Sequence, residues 1–443
     1  MHRREALTLS ALASAGLAFK PEPVEAQANV QAASRGRGPL KIAKVEAMVV
    51  RSPRDAKPQE SLIVMDPIGA TMAGGVGRTN RIDTSSPSRT PGYEQAVVVK
   101  ITTADGLYGW GECHAPVAPR VHVQIIKDIL APILIGQDAR QVEALWERMY
   151  RSERVRGYST GDQIEAIAGI DIALWDLLGK YAGVPVYQLL GGRYRSQIST
   201  YATFSATYTG RKTEQTSAER ATQMVEAGFK VLKMALRSGP GSKAFDEVLA
   251  VAKAVGSKAN VAVDALGAFT LADAIVTGRE LDKIGNIAWM EDALLPDQMQ
   301  SYPDLARAVD TAICAGEALS TRFQFRDLMA QRGVDMINPD LCRCGGITEG
   351  RRIVWLADVF GVLWAPHVST GTAPYMAASI HLGVSTPNAV MMEVYDGYKH
   401  DGPLGNRLLK APLDMGPGFA KVPERPGLGV DFDEKALAQV VVA

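Results

Sequence analysis

Hydrophobic and polar positions follow two different patterns, one before and one after about residue 197. In the first part, residues 39–54 and 94–112 are rich in Val and Ile, which predicts β-strands. Residues 122–152 and 162–182 carry apolar side chains three or four positions apart, which predicts helices. Strands followed by helices predict an α+β domain over residues 39–196.

From residue 197 to 395, short apolar runs alternate with stretches of helical periodicity. Eight runs predict strands: ISTYATF, VLKMAL, NVAVDA, NIAWMED, TAICAGE, VDMINPD, VLWAPH and AVMMEV. Apolar strands separated by helices predict a parallel sheet buried on both faces, and eight strands are the number of a closed barrel. An open doubly wound sheet is the alternative, although no G-x-G-x-x-G follows any strand to support a dinucleotide site.

The segment 55–93, between the first two strands, is rich in Gly, Ser, Thr, Pro and Arg and has little periodicity. A segment of this length inside a compact domain is typical of a lid or of disorder. Arg78, Arg81 and Arg89 lie within it and are candidates to meet a distal carboxylate, although solvated loop arginines are common.

The N-terminus has the features of an export signal. Arg3 and Arg4 precede a short Ala- and Leu-rich stretch, and Ala26-Gln27-Ala28 offers a small-residue cleavage site. This pattern is typical of twin-arginine export, with Ala6 replacing the usual aromatic residue. We therefore predict a signal over 1–28, a linker over 29–38, and a periplasmic protein exported after folding. A disordered tail on a cytoplasmic protein is the alternative.

Composition limits the classes of partner. The chain has 443 residues, of which 47% are hydrophobic and 22% charged, as expected of a globular protein with a large core. Lys+Arg and Asp+Glu both number 48, so no net charge favours nucleic acid or an anionic membrane. The four cysteines do not have zinc-site spacing.

A polar residue lies at or near the C-terminal end of each apolar run from the second to the eighth. The seven residues recur about one strand-helix repeat apart and are Lys233, Asp264, Glu291, Glu317, Asp340, His367 and Glu393. The C-terminal ends of barrel strands meet at the active site, so these side chains are predicted to converge. A single strand-end carboxylate is more often a helix cap, but seven polar residues recurring in phase favour a functional site.

Five carboxylates in one barrel mouth would repel one another unless a cation neutralised them. Oxygen ligands without thiols or several imidazoles favour Mg²⁺ or Mn²⁺ over Zn²⁺. Asp264, Glu291 and Glu317 are consecutive in this series and suit a metal that keeps positions open for substrate. Asp340 and His367 follow and suit a pair in which the carboxylate orients the imidazole.

This series resembles the enolase superfamily, and within it the mandelate racemase/muconate lactonizing enzyme subgroup. The resemblance covers nearly the whole chain after the signal. It rests on GWGE (109–112), AIAGIDIALWDLLGKYAGVPVYQLLGG (166–192), VDALGAFT (263–270), MED (290–292), AGE (315–317), NPDLCRCGGIT (338–348), APHVSTG (365–371), MMEV (391–394) and PERPGLGVDFD (423–433).

The resemblance implies a modified (β/α)7β barrel over 197–395, an α+β cap over 39–196 with a lid at 55–93, and a segment 396–443 that returns to the cap. It implies one Mg²⁺ bound by Asp264, Glu291 and Glu317, and an Asp340–His367 dyad as general base. Glu393 is implied to donate to the substrate carboxylate or to orient it. Relatives often assemble as dimers to octamers, so a homo-oligomer is expected.

The chain departs from the subgroup at three places. The usual Lys-x-Lys is Lys233-Met234-Ala235, so the second lysine, a base on the face opposite the histidine, is a methyl group. The usual Asn after the first metal ligand is Leu266, and the usual Glu-Glu-Pro is Glu291-Asp292-Ala293.

The expected chemistry begins with removal of a proton α to a carboxylate, with the enediolate stabilised by the metal and by Lys233. Racemisation needs groups on both faces of the intermediate, whereas loss of a β-hydroxyl needs one. We therefore predict dehydration of a sugar acid to a 2-keto-3-deoxy acid. A racemase, epimerase or cycloisomerase is the alternative enzyme, and a non-catalytic carboxylate-binding protein is the alternative class.

Overall fold

The structure is a computed structural model that describes residues 39–52, 94–204, 215–369, 371–395 and 404–442. The predicted export signal, the linker 29–38 and the lid 55–93 with its three arginines lie outside these ranges. None of the helices in the described ranges combines the length and the apolarity needed to cross a bilayer.

The described ranges contain fourteen β-strands. They are β1 (Ile42–Arg51), β2 (Gln95–Thr103), β3 (Tyr108–Cys113), β4 (Gln197–Thr203), β5 (Val231–Ala235), β6 (Asn260–Asp264), β7 (Ile287–Glu291), β8 (Ile313–Ala315), β9 (Met336–Ile337), β10 (Leu363–Trp364), β11 (Met392–Tyr395), β12 (Met415–Gly416), β13 (Phe419–Lys421) and β14 (Val441–Val442).

The α-helices of the same ranges lie between these strands. They are α1 (Pro119–Ile125), α2 (Ala131–Leu134), α3 (Val142–Ser152), α4 (Asp162–Ala182), α5 (Val186–Leu189), α6 (Ser217–Ala227), α7 (Lys243–Val255), α8 (Leu271–Leu281), α9 (Tyr302–Ala308), α10 (Thr321–Ala330), α11 (Leu341–Cys344), α12 (Gly346–Phe360), α13 (Ala373–Val384) and α14 (Glu434–Val440). A π-helical stretch covers Ile126–Leu130, and 3₁₀ turns cover Arg154–Arg156, Gly256–Lys258, Pro296–Ser301 and Asn406–Leu408.

The cap contains an antiparallel sheet in the order β14-β1-β2-β3, so the C-terminal strand pairs with the first strand described. Helix α4 packs on this sheet because β3 carries Gly109 and Gly111 at the contact. A Cβ added at either position would collide with the backbone of α4 at Ala173 or Gly169. The GWGE sequence therefore sets how closely the long cap helix approaches the sheet.

Strands β4 to β11 form a closed ring of parallel strands. The order runs β10-β9-β8-β7-β6-β5-β4, and β11 pairs with β4. Trp364 closes the ring on the other side, because its N–H donates to Asn388 O at 3.1 Å and its carbonyl accepts from Val390 N at 3.0 Å. Along the chain, at least one helix follows each of the barrel strands β4 to β10. The predicted barrel with an α+β cap is confirmed.

The helix predicted over 122–152 is interrupted. Ile135 leaves the helical conformation, with ψ of 132°, and Gly136 is left-handed, with φ of 79°. The backbone here pairs with the start of β1: Gly136 N donates to Ile42 O at 2.8 Å, and Ile42 N donates to Gln137 O at 2.9 Å. Pairing with a distant strand thus overrides the local helical periodicity.

Candidate active site

The seven strand-end residues come together at the C-terminal mouth of the barrel, with Lys233 at the centre. Its Nζ lies 2.5 Å from Glu291 Oε1, 3.0 Å from Glu393 Oε1 and 3.3 Å from Asp264 Oδ2. Burial alone would lower the pKa of Lys233, but Glu291 and Glu393 more than offset this and raise it well above its usual value. The buried lysine is therefore a permanent cation among carboxylates.

Asp264, Glu291 and Glu317 bring carboxylate oxygens within 4.8 Å of one another. They come from three adjacent strands, since β6 pairs with β7 and β7 with β8. Burial raises the pKa of Glu317, and Asp264 is among the neighbours that add to the shift. Three convergent anionic oxygen donors in a buried site fit a hard divalent cation, which would relieve this repulsion.

Glu291 is held by two side chains that the sequence patterns did not single out. Asn338 Nδ2 donates to Glu291 Oε1 at 3.0 Å, and Trp289 Nε1 donates to Glu291 Oε2 at 2.7 Å. Trp289 lies in β7 two positions before Glu291, so strand periodicity places both on one face, and Asn338 follows β9 directly, two positions before Asp340. That spacing is the signal by which they could have been found.

His367 and Asp340 form the expected dyad. His367 Nδ1 lies 2.9 Å from Asp340 Oδ2, while His367 Nε2 lies 3.2 Å from Glu317 Oε2 and 3.7 Å from Glu393 Oε2. Burial alone would lower the pKa of His367, but Glu317, Glu393 and Asp340 raise it to about 10. Asp340 holds the Nδ1–H, so that Nε2 faces the three clustered carboxylates; a cation bound by Glu317 would offset the largest contribution that raises this pKa and free Nε2 to accept a proton.

Asp340 is itself anchored from several sides. It caps α11, because Cys342 N donates to Asp340 Oδ1 at 2.8 Å. The Tyr375 hydroxyl, from α13, donates to Asp340 Oδ2, and His114 Nδ1, from the end of β3, lies 3.5 Å from the same oxygen. Burial lowers the pKa of His114 to about 3, so this imidazole is neutral. Tyr375 and His114 are functional candidates that sequence reasoning missed, because they lie on other elements.

The cap also holds the loop that carries His367. Glu112, the last residue of GWGE, accepts hydrogen bonds from Thr372 N at 2.9 Å and from Thr372 Oγ1 at 2.5 Å. Burial raises the pKa of Glu112 to about 7, although Thr372 opposes the shift. The GWGE glutamate therefore connects the cap sheet to the start of α13.

Ala235 lies on the same face of β5 as Lys233, beside Asp264 in the pairing of β5 with β6. The residue is 7% exposed, and its methyl group cannot transfer a proton at this position. Leu266 and Asp292, the other departures from the family pattern, adopt left-handed φ values of 50° and 37°. Leu266 N still donates to Asp264 Oδ1 at 3.0 Å, and Asp292 Oδ1 accepts from Gly316 N at 3.1 Å. The backbone around the three clustered carboxylates thus keeps its hydrogen bonds despite these departures.

Comparisons with known proteins agree with this geometry. Residues 79–191 match the mandelate racemase/muconate lactonizing enzyme N-terminal domain, and residues 216–436 match the enolase C-terminal domain-like family. D-galactarolactone cycloisomerase of Agrobacterium fabrum is 32% identical over 370 residues, which cover 81% of this chain and 95% of that protein.

Two further relatives also match most of the chain. D-galactonate dehydratase of Verminephrobacter eiseniae is 34% identical over 353 residues, which cover 77% of this chain and 90% of that protein. The crystal structure of 3,6-anhydro-D-galactonate cycloisomerase from Zobellia galactanivorans is 28% identical, with a TM-score of 0.74 over 91% of this chain and 100% of that chain. The protein described here belongs to the mandelate racemase/muconate lactonizing enzyme family of the enolase superfamily.

Proposed function

We propose that this protein dehydrates a sugar acid to a 2-keto-3-deoxy acid in a Mg²⁺-dependent reaction. The observation that carries the proposal is an asymmetry in the site. The His367–Asp340 dyad lies beside three clustered carboxylates, and Ala235 occupies the position of the family's second base. Relatives named as galactonate and arabinonate dehydratases support it.

Asp264, Glu291 and Glu317 would hold the ion, with Mg²⁺ as the proposed metal and Mn²⁺ as a substitute. When bound, the ion would neutralise negative charge that develops on the substrate carboxylate. Glu291 is prepared for this role by Asn338 and Trp289, which fix both of its oxygens through hydrogen bonds at 3.0 Å and 2.7 Å.

His367 would take the proton from the carbon α to the substrate carboxylate through Nε2, since Nδ1 is occupied by Asp340. Lys233 would stabilise the developing charge on the carboxylate, and Glu393 would orient that group. The proton on Nε2 would then pass to the departing β-hydroxyl, which leaves as water while the C–O bond breaks. The resulting enol becomes the 2-keto-3-deoxy acid by proton transfer to carbon.

Cycloisomerisation is the second candidate, because two of the relatives reported above are cycloisomerases. A base on one face also suffices for this reaction if the leaving oxygen belongs to a ring of the substrate. The ring then opens and no water is released. Racemisation is less well supported, because Ala235 cannot take or give a proton on the opposite face.

The test is a screen of aldonic and aldaric acids and their lactones with purified protein and Mg²⁺, read as 2-keto acid formation. Dehydration of an open-chain acid gives a product lighter by one water, whereas opening of a lactone gives an isomer of unchanged mass. A screen in which no acid forms a keto acid or exchanges its α-proton in D₂O would contradict the proposed function and favour a carboxylate-binding protein.

We further propose that the protein is exported through its N-terminal twin-arginine pattern and acts in the periplasm as a homo-oligomer. Arg3, Arg4 and the Ala26–Ala28 site support export. The size of the native assembly would be measured by light scattering.

A further inference from the structure

Arg343 lies where the barrel meets the cap. It belongs to α11, which Asp340 caps, and its backbone N–H donates to Asp340 O at 3.0 Å. The cap strand β3 ends against the same helix, because His114 N donates to Cys342 O at 3.2 Å. Arg343 is therefore next in the chain to the residue that contacts the cap, and three residues after the dyad aspartate.

The guanidinium of Arg343 has few protein partners. Within the described ranges, its one ion-pair partner is Glu165, with Nε 3.1 Å from Glu165 Oε1, and this N–H forms no hydrogen bond there. Glu165 is already engaged on its other oxygen, because His122 Nε2 lies 2.7 Å from Glu165 Oε2. Among the described residues, no carboxylate other than that of Glu165 lies within ion-pair distance of the Arg343 guanidinium.

Arg343 is also electrostatically close to the reacting groups. Burial alone would lower its pKa, but Asp340, Glu165 and Glu317 raise it. Its charge in turn contributes, after burial, to the lowered pKa of His114. The side chain is 24% exposed, so the cation is partly withdrawn from water without being sealed in the core.

A partly buried guanidinium is stabilised when its planar N–H donors meet an anion in bidentate geometry. Here Asp340 uses its oxygens on His367, Tyr375 and Cys342, and Glu165 Oε2 meets His122, so neither carboxylate pairs with the guanidinium through two free oxygens and a bidentate contact is left for an incoming anion. Arg343 therefore has the chemistry of an anchor for a second anionic group.

We propose that Arg343 binds the distal carboxylate of a dicarboxylic sugar acid, so that the preferred substrate is an aldaric acid or its lactone. This inference rests on the proposed function, in which the metal ligands, Lys233 and His367 act on the proximal carboxylate. A monocarboxylic aldonic acid ends in a hydroxymethyl group, which cannot make the charged bidentate contact. Arg343 is thus assigned as a specificity residue.

The kinetic test compares matched pairs of acids: galactaric and galactonic, glucaric and gluconic, mannaric and mannonic. For the pair of matching configuration, we expect the wild-type protein to have the higher kcat/KM on the aldaric acid. Arg343→Met should lower that value about 10–100-fold, as expected for loss of a charged hydrogen bond. It should change kcat/KM on the aldonic acid only a few-fold. Arg326→Met is the matched control, because Arg326 is an exposed helix residue paired with Asp327.

Equal losses on both acids in Arg343→Met would overturn the proposal and show that Arg343 only positions the dyad. A wild-type preference for the aldonic acid would also overturn it. A binding measurement separates this inference from the reaction itself. In Mg²⁺-loaded His367→Asn protein, calorimetry should show tighter binding of the aldaric acid, and adding Arg343→Met should abolish the difference. If no acid is turned over, the proposed function fails, and the two dissociation constants still decide the role of Arg343.

Discussion

Single residues on either side of the substrate position distinguish dehydration from racemisation. Lys233 and Ala235 share one face of β5, and His367 approaches from β10 on a different part of the ring. Lys233 is held by three carboxylates at 2.5 to 3.3 Å, which favours a fixed electrostatic role over proton transfer. His367 is then the proton-transfer group that the proposed mechanism requires.

We expect His367→Asn to abolish both dehydration and deuterium incorporation at the α-carbon in D₂O. Metal binding should persist, because Asp264, Glu291 and Glu317 are unchanged. Exchange is measured by proton NMR and metal binding by calorimetry. Wild-type protein should exchange the proton of one α-epimer only; comparable exchange from both epimers would mean that a second base exists, and the one-base reaction would be wrong.

The proposed metal site consists of Asp264, Glu291 and Glu317. Chelation should remove activity and Mg²⁺ should restore it. Glu317→Gln should weaken Mg²⁺ binding, because one of three anionic ligands becomes neutral. Titration calorimetry measures the affinity, and Glu280→Gln is the control, because Glu280 pairs with Lys283 on an exposed helix face. Full activity in exhaustively metal-free protein would contradict the assignment.

Much of the candidate site was predictable from the sequence, because its residues recur at the C-terminal ends of successive barrel strands. Asp264 and Glu291 end β6 and β7, so reading the strands was enough to locate them. His114 and Tyr375 were not predictable in this way, since one follows a cap strand and the other lies on a barrel helix. Their contacts with Asp340 depend on how the cap and α13 pack, and no local pattern records that packing.

At the scale of elements, periodicity predicted the barrel strands and the long helix α4. It failed where the backbone forms hydrogen bonds with a strand that is distant in the sequence. The helix expected over 122–152 breaks at Gly136, which pairs with Ile42. In β3, by contrast, the tertiary contact explains residues that local propensity disfavours. Glycine weakens the interior of a strand, yet Gly109 and Gly111 are both needed for the close contact of β3 with α4.

Gly111→Ala should therefore destabilise the protein, because the added methyl group meets the carbonyl oxygen of Gly169 and the helix must shift. The cost is expected at about 1–3 kcal/mol, the usual range for overpacking. Urea unfolding measures it, with Gly285→Ala as control, because an added Cβ there has no neighbour within 4 Å. Equal stability of the two variants would argue against close packing of α4 on the cap sheet.

At the scale of the whole molecule, the export proposal concerns residues outside those that the structure describes. Cleavage after Ala28 should leave a mature N-terminus near Asn29. N-terminal sequencing of native periplasmic protein checks this, and Arg3→Lys with Arg4→Lys should retain the protein in the cytoplasm. Intact Met1–Ala28 on native cytoplasmic protein would refute export.

His381 joins three parts of the molecule at a buried point of α13. Its Nδ1 accepts a hydrogen bond from Tyr187 N at 3.2 Å, in the cap helix α5, and its Nε2 lies 3.1 Å from Leu428 O, in the C-terminal segment. Both contacts are satisfied by one neutral tautomer, which donates from Nε2. Burial lowers the pKa of His381 to about 4, with Leu428 opposing the shift.

This shift predicts a loss of stability in mild acid. In the unfolded chain His381 would titrate near its usual pKa of about 6.5, so between pH 6.5 and 4 the unfolded state binds the extra proton. The contribution of His381 to stability is complete above pH 6.5 and falls as the pH approaches 4. At pH 5 the loss should be about 2 kcal/mol, from the two pKa values.

His381→Gln tests this assignment, because a glutamine can donate and accept hydrogen bonds but does not titrate. The variant should be less stable than the wild type at pH 7.5, since the smaller, more flexible glutamine carries its oxygen and nitrogen together at its tip and fits the two contacts less well than the rigid imidazole. Its unfolding free energy should fall less between pH 7.5 and pH 5, by about the 2 kcal/mol attributed to His381. Urea unfolding of the wild type and of the variant at both pH values gives the four unfolding free energies that are compared. If the variant and the wild type lose the same amount, protonation of His381 is not what weakens the junction of barrel, cap and C-terminal segment in acid.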